Sequence, residues 1–284
     1  MSSIFYSNKT DFEKIIQNIK ENGAEKLHFL ADFDRTLTKS FIDGEARPSL
    51  IGAMRQGGYL GEEYTKEAYR LFDEYHPIEV NPIIPLEEKK VKMSQWWNKH
   101  LELLINSKLN KKHIDEVINS GILELREGVG EFIVFLEQKD VPLVIISANG
   151  LGGDSIKLYL EAKNFMRKNI FIVSNEFIWD SNGYATGYKK PVIHVFSKDE
   201  TVLKDFPEIN SKVERRKNVI LLGDSLGDHH MVEGFEYDNL LKIGFLNENE
   251  EELLEEYKKR YDVVLTGDPD FSFVNNLIKE ICQK

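Results

Sequence analysis

The segment Leu27–Thr38, LHFLADFDRTLT, runs from an apolar stretch straight into two aspartates one residue apart, Asp32 and Asp34. The run LHFLA reads as a buried strand. In an extended chain Asp32 and Asp34 point to the same side, so their carboxylates converge. Two like charges that close destabilise a site unless a cation neutralises them. A strand that ends this way marks a site at the carboxyl edge of a sheet.

The elements around it fit such a sheet. Residues 10–22 read as a helix with TDFE as its capping box. Helical spacing returns over Tyr64–Glu74, Glu87–Ser107 and Lys111–Ser120, between Gly- or Pro-bearing breaks. Beyond 126, strands and helices alternate. The runs 141–148, 169–178, 218–224, 241–247 and 262–268 read as strands, and DSNG followed by YATGYK reads as a hairpin. Unbroken apolar runs rich in β-branched residues suit a parallel sheet covered on both faces. The fold expected is α/β: a core of residues 1–40 and 126–284, with residues 41–125 inserted as a helical cap over the strand ends.

Composition bounds the function. The chain has 284 residues, 41% hydrophobic and 30% charged, as in a globular domain with an insert. No apolar run spans a bilayer, and the N-terminus lacks a signal-peptide pattern, so a cytosolic protein is expected. The net charge of −11 argues against a nucleic acid polymer as partner, though not against a small phosphorylated ligand. The acidic run 247–259 reads as a solvated helix face, since Leu253, Leu254 and Tyr257 give it an apolar stripe. The single Cys282 reads as an incidental thiol.

Three strands end in chemistry-bearing residues: LADFD, IISANG and LLGDSLGD. In open α/β sheets, ligands bind at those ends. Asp32, Asp34, Asp224 and Asp228 form a set suited to a hard cation such as Mg²⁺. Ser147 offers a hydroxyl, and the amides of Ala148, Asn149 and Gly150 can bond an oxyanion. Lys189 or Lys190 would complete a phosphate cradle. Acids with a metal on one side and a serine, amides and a lysine on the other suit phosphoryl transfer.

With these residues in place, the sequence resembles the haloacid dehalogenase-like (HAD) hydrolase superfamily. DFDRTLT looks like its first motif, IISANG its second, Lys189 or Lys190 its third and GDSLGD its fourth. It is more closely similar to the cytosolic pyrimidine 5'-nucleotidase family, which includes nucleotidases of 7-methylguanosine phosphate. The likeness runs from about 28 to 282 and includes YHPIEVNP, WWNKH, ELREGV and GYKKPVIHVFSK. It implies a HAD-type, Rossmann-like core and a Mg²⁺-dependent 5'-nucleotidase acting on CMP, UMP or 7-methyl-GMP. Asp32 would be the nucleophile and Asp34 the acid and base. Asp32, the Asp34 carbonyl and Asp224 would hold Mg²⁺, with Asp228 nearby. Ser147 and Lys189 would hold the phosphoryl group; anchoring on IHVF selects Lys189 over Lys190. Glu79 would contact the base.

The second motif departs from the usual SAG-x-GD: here it is SANGLGGD, with Asp154 displaced. His100 stands where the family tends to carry a small residue, and reads either as a base contact or as a packed histidine. Of Trp96 and Trp97, one belongs to the cap core and either can face the base. His229 and His230 read as surface or supporting residues. The competing readings are a phosphatase of another small metabolite, such as a sugar phosphate or phosphoserine, and a nucleotide-binding protein with little turnover. YHPIEV counts against the first and the intact acid set against the second. The protein is expected to act as a monomer.

Overall fold

The computed structural model describes residues 3–81, 83–198, 206–233 and 236–283. Its centre is a seven-stranded sheet built from β1 (Ile4–Tyr6), β2 (Leu27–Ala31), β5 (Leu143–Ile146), β6 (Ile170–Val173), β9 (Asn218–Gly223), β10 (Asn239–Leu246) and β11 (Val263–Thr266). The spatial order is β1-β11-β10-β9-β2-β5-β6, parallel throughout except for β1. Among the parallel strands, chain order runs outward in both directions from β2. That reversal opens a crevice at the carboxyl ends of β2, β5 and β9.

The apolar strand runs are explained by burial on both faces. Along β2, Leu27, Phe29 and Ala31 join the larger apolar cluster, while Leu30 joins a second one. Along β9, Ile220 and Leu222 face the first and Val219 and Leu221 the second. The first face is covered by α1 (Lys9–Asn22), α6 (Val129–Gln138), α7 (Gly153–Ala162) and α10 (Ser272–Ile281). The second is covered by α8 (Pro207–Val213) and α9 (Glu250–Lys258), which contributes Tyr257 from the acidic run. Each fully buried Leu, Ile or Phe contributes roughly 1.5–3 kcal/mol.

Between β2 and α6 stand a short hairpin, β3 (Phe41–Ile42) and β4 (Glu45–Ala46), and the helices α2 (Leu50–Gln56), α3 (Glu62–Val80), α4 (Leu86–Asn106) and α5 (Lys111–Asn119). Leu71, Tyr75, Met93 and Trp96 form a small core of their own between α3 and α4. Leu101, Leu104, Ile114 and Val117 instead join the large cluster against the sheet. The helices therefore form an apolar group of their own at one end and are anchored on the sheet at the other.

Several local expectations change. The cap of α1 is Asn8, whose Oδ1 accepts from Thr10 N at 3.1 Å and Asp11 N at 3.3 Å, so TDFE lies inside the helix. Asn caps at least as well as Thr and sits earlier. The run 169–178 is two strands: β6 ends at Val173, and β7 (Phe177–Trp179) pairs with β8 (Ala185–Tyr188) in a separate hairpin. Asn175 makes the break, its side chain accepting from Ile193 N and donating to Ile193 O, each at 2.9 Å. α3 continues past Glu74 through Pro77 to Val80, with Tyr75 and Ile78 packed against the α3–α4 core.

Candidate active site

Three neighbouring strands deliver the site. Asp32 follows β2, and its N–H donates to Leu222 O on β9 at 3.1 Å, which locks the two strand ends together. Phe33 N donates to Asp32 Oδ1 at 2.8 Å and fixes the carboxylate. Asp224 follows β9, and Thr36 Oγ1 donates to its Oδ1 at 3.0 Å. Asp228 Oδ2 accepts from Asp224 N at 3.1 Å and Ser225 N at 2.9 Å, closing the turn. Gly223 is required there: a Cβ would lie 2.5 Å from Asp228 Cβ.

One oxygen from each of Asp32, Asp224 and Asp228 lies within 4.8 Å of the others. Burial raises Asp32 above the ordinary carboxylate range, opposed by Lys198, and raises Asp224 well above it. An all-oxygen donor set, packed this closely and short of positive charge, fits a hard divalent cation. Asp34 stands apart from this trio. Its Oδ1 accepts from Leu50 N at 3.0 Å, at the start of α2. Burial and the neighbouring Asp32 push its pKa to about 7, which suits a group that must both give and take a proton near neutrality.

The expected lysine is corrected. Lys189 is 65% exposed and paired with Glu176 at 2.5 Å, and Lys190 is exposed beside it; neither lines the cavity that holds Asp32. Lys198 occupies the place instead. It is 5% exposed, and its Nζ lies 2.7 Å from Asp32 Oδ2 and 3.1 Å from Asp228 Oδ1. Burial alone would favour its neutral form, but Asp228 and Asp32 outweigh that and hold it charged.

Ser147 is buried at the end of β5 and lines the same cavity. Its Oγ accepts from Asn149 N at 3.2 Å. The Asn149 side chain turns inward, accepting from Leu151 N at 2.9 Å and donating to Ser155 Oγ at 2.8 Å. It shapes the longer loop. Asp154 bonds Trp179 Nε1 at 2.5 Å. Ala148 O accepts from Trp97 Nε1 at 2.8 Å, which ties the helical segment to the strand end.

The cavity, about 250 Å³, extends from Asp32 and Ser147 to an aromatic far end. Trp96 stacks on Tyr75 at 5.9 Å within the α3–α4 core and still reaches the wall, beside Trp97. Glu79 lines it, raised to about 7 by burial, with Lys198 and Lys89 pulling the other way. His100 lines it too. It is buried edge-on to Tyr64, its Nε2 has no hydrogen-bond partner, and burial lowers its pKa to about 3, so it is neutral. Arg55, absent from the sequence reading, also lines the wall. His229 and His230 bond Leu226 O and Glu233. Cys282 is free and half-buried, with its thiol pushed up by burial.

Comparison with known proteins identifies relatives over nearly the whole chain. The family model described as "Pyrimidine 5'-nucleotidase (UMPH-1)" matches residues 35–282. The 7-methylguanosine phosphate-specific 5'-nucleotidase A of Xenopus laevis is 35% identical over 270 residues, covering 95% of this chain and 92% of that one. Its namesake from Homo sapiens is 35% identical over 273 residues, covering 95% and 90%. The crystal structure of cytosolic 5'-nucleotidase IIIB bound to cytidine superposes with a TM-score of 0.90 at 31% identity, covering 98% of this chain and 93% of that one. The chain belongs to the pyrimidine 5'-nucleotidase (UMPH-1) family and is an enzyme of the 5'-nucleotidase class with a HAD-like fold.

Proposed function

We propose that this enzyme hydrolyses nucleoside 5'-monophosphates, with a pyrimidine or 7-methylguanine base, to nucleoside and phosphate. The observation that carries the reading is one cavity with two kinds of lining. Asp32, Asp34, Ser147 and Lys198 line it together with Glu79, His100, Trp96 and Trp97.

Asp32 is the nucleophile: its carboxylate oxygen bonds to phosphorus as the bond to the nucleoside 5'-oxygen breaks. Asp34 supplies the proton to that oxygen. It then takes one from the water that cleaves the aspartyl-phosphate and regenerates Asp32. Lys198, in the role first given to Lys189, and Ser147 hold the phosphoryl oxygens. Asp32, Asp224 and Asp228 would hold Mg²⁺, with the Asp34 carbonyl as a further donor. That ion would neutralise the acids and offset the negative charge of the phosphoryl group. Ala148 and Asn149 line the phosphoryl side. Glu79 accepts from an exocyclic amine of the base or pairs with a cationic one. Residues 41–125 act as the cap that reads the nucleoside.

The reading has the enzyme working as a monomer in the cytosol, on small nucleotides and on neither nucleic acid polymers nor membranes. Among the described residues no helix is long and apolar enough to cross a membrane. Phosphate release from CMP, UMP, 7-methyl-GMP, AMP and a sugar phosphate, with Mg²⁺ and with chelator, tests it. Turnover of the nucleotides that chelation abolishes is expected. Equal rates on the sugar phosphate and CMP would refute the nucleotidase reading, and turnover that survives chelation would refute the metal.

A further inference from the structure

The aromatic end of the cavity carries a cation that the chemistry above leaves without a task. Arg55, near the end of α2, is half-buried on the cavity wall. Its guanidinium carbon lies 4.2 Å from the Phe72 ring centroid and 5.2 Å from that of Tyr69, so the planar group is held by stacking. No carboxylate among the described residues forms an ion pair with it. The exposed Asp73 acts on it only from beyond ion-pair distance, and the Tyr69 side chain favours its charged form. Its Nε is buried without a partner.

The unmet polar groups cluster there. Tyr64 OH and His100 Nε2 are likewise buried without partners, and the two rings meet edge-on at 6.2 Å. Glu79 belongs to a different electrostatic neighbourhood, feeling Lys198 and Lys89. A desolvated guanidinium with no counter-ion is costly, and so are buried donors with nothing to donate to. A ligand that brings oxygen acceptors to this wall relieves both costs. A ligand that brings positive charge adds to the first.

We propose that Arg55 is a specificity-determining residue of the base subsite. It donates to a carbonyl oxygen of a neutral base and disfavours a base that carries positive charge. This rests on the nucleotidase reading and narrows it: pyrimidine monophosphates are preferred over 7-methyl-GMP, unlike the specificity for which the similar enzymes are named. Stacking on Phe72 fixes the plane in which the guanidinium donates, which a lysine ammonium would not reproduce.

The test compares kcat/KM for CMP, UMP and 7-methyl-GMP, with Mg²⁺, in the full chain and in Arg55→Lys, Arg55→Gln and Arg55→Met. In the unaltered chain the pyrimidine nucleotides lead. Arg55→Met raises the ratio of 7-methyl-GMP to CMP by about tenfold or more, chiefly through KM, since like-charge juxtaposition is removed. Arg55→Gln moves the ratio the same way by less, and Arg55→Lys keeps the original order. A ratio unmoved within about twofold in both neutral variants would overturn the assignment, given that a single unmade or repulsive contact ordinarily shifts discrimination by more. Should the neutral variants fail to fold, calorimetric binding of cytidine and of 7-methylguanosine to the unaltered chain decides. Tighter cytidine binding supports the assignment, and tighter 7-methylguanosine binding overturns it. Release of phosphate from none of the three nucleotides would instead sink the nucleotidase reading itself.

Discussion

Lys198 Nζ stands 2.7 Å from Asp32 Oδ2, while Lys189, earlier in the same loop, points away to Glu176. Lys198 also contacts Asp228 at 3.1 Å, so one ammonium bridges the proposed nucleophile and a proposed metal-side acid. Replacing Lys198 with Met removes the charge proposed to face the phosphoryl group. We expect kcat/KM for CMP to fall by about 10²–10³, the ordinary loss for one preorganised electrostatic contact. Lys189→Ala, which breaks only an exposed pair, should change it by less than about twofold. Steady-state phosphate release from both variants checks this; the opposite ranking would restore Lys189.

Asp34 can lose its charge without losing its place. Asparagine keeps an oxygen for Leu50 N, the bond that holds Asp34 at the start of α2. Asp34→Asn should therefore fold, and its Tm should equal or exceed that of the parent because burial and Asp32 both disfavour the ionised carboxyl. Turnover should fall by about 10²–10⁴ through loss of proton transfer. A melting curve beside an initial-rate measurement checks both halves. A large drop in Tm would show that Asp34 acts through structure rather than through its proton.

The acid trio and the parallel sheet were readable because each depends on short-range pattern. An apolar run buried on both faces must end where the sheet ends, and LADFD, IISA and LLGD place their polar residues there. Lys198 was not readable that way. It lies beyond β8 in a loop whose return to Asp32 is set by tertiary bonds, including those of Asn175 to Ile193. Two adjacent lysines after a hairpin offered an easier match. Arg55 gave no signal at all. An arginine on a short helix is ordinarily solvated, and only the packing of α3 against α2 turns it toward the cavity. The strand break at 174–176 was hidden for a similar reason, since an Asn that replaces a strand partner looks like any turn residue.

Glu79 offers a pH-dependent test. Its folded pKa is about 7 against an ordinary 4.5. Above pH 7 the carboxyl is ionised in both states, and burying it costs stability. As pH falls from 7 to 4.5 the native state binds the proton first, so that cost is withdrawn. Glu79→Gln should therefore stabilise the ligand-free enzyme by about 1–3 kcal/mol at pH 8, with the gain shrinking toward pH 4.5. The same variant should lose discrimination among bases. Urea denaturation at pH 8 and pH 5 checks the first part; an equal effect at both would contradict the burial cost.

Arg126 connects a distant buried ion pair to the catalytic loop. It is 1% exposed and pairs with Asp268 at 2.5 Å. Its guanidinium also donates to Thr36 O at 2.9 Å, to Pro269 O and Asn247 Oδ1 at 2.8 Å each, and to Arg35 O. Residues 35 and 36 belong to the turn that carries Asp34 and the Thr36 hydroxyl bonded to Asp224. Arg126→Met leaves Asp268 without its counter-charge and Thr36 O without the Arg126 donor, while Arg35 O keeps the Asn247 side-chain amide. Breaking such a buried pair from one side costs about 3–5 kcal/mol. Because the loss falls on the turn, kcat should drop further than the unfolded fraction explains. Denaturation midpoints measured beside kcat at a temperature where the variant is still folded separate the two effects. Asp268→Asn keeps one acceptor oxygen, for Arg126 and the Ser40 N–H, and loses the one that accepts from Phe41 N; it should still cost less on both measures than Arg126→Met. If the two variants lose activity only in proportion to stability, Arg126 supports the fold without positioning the acids.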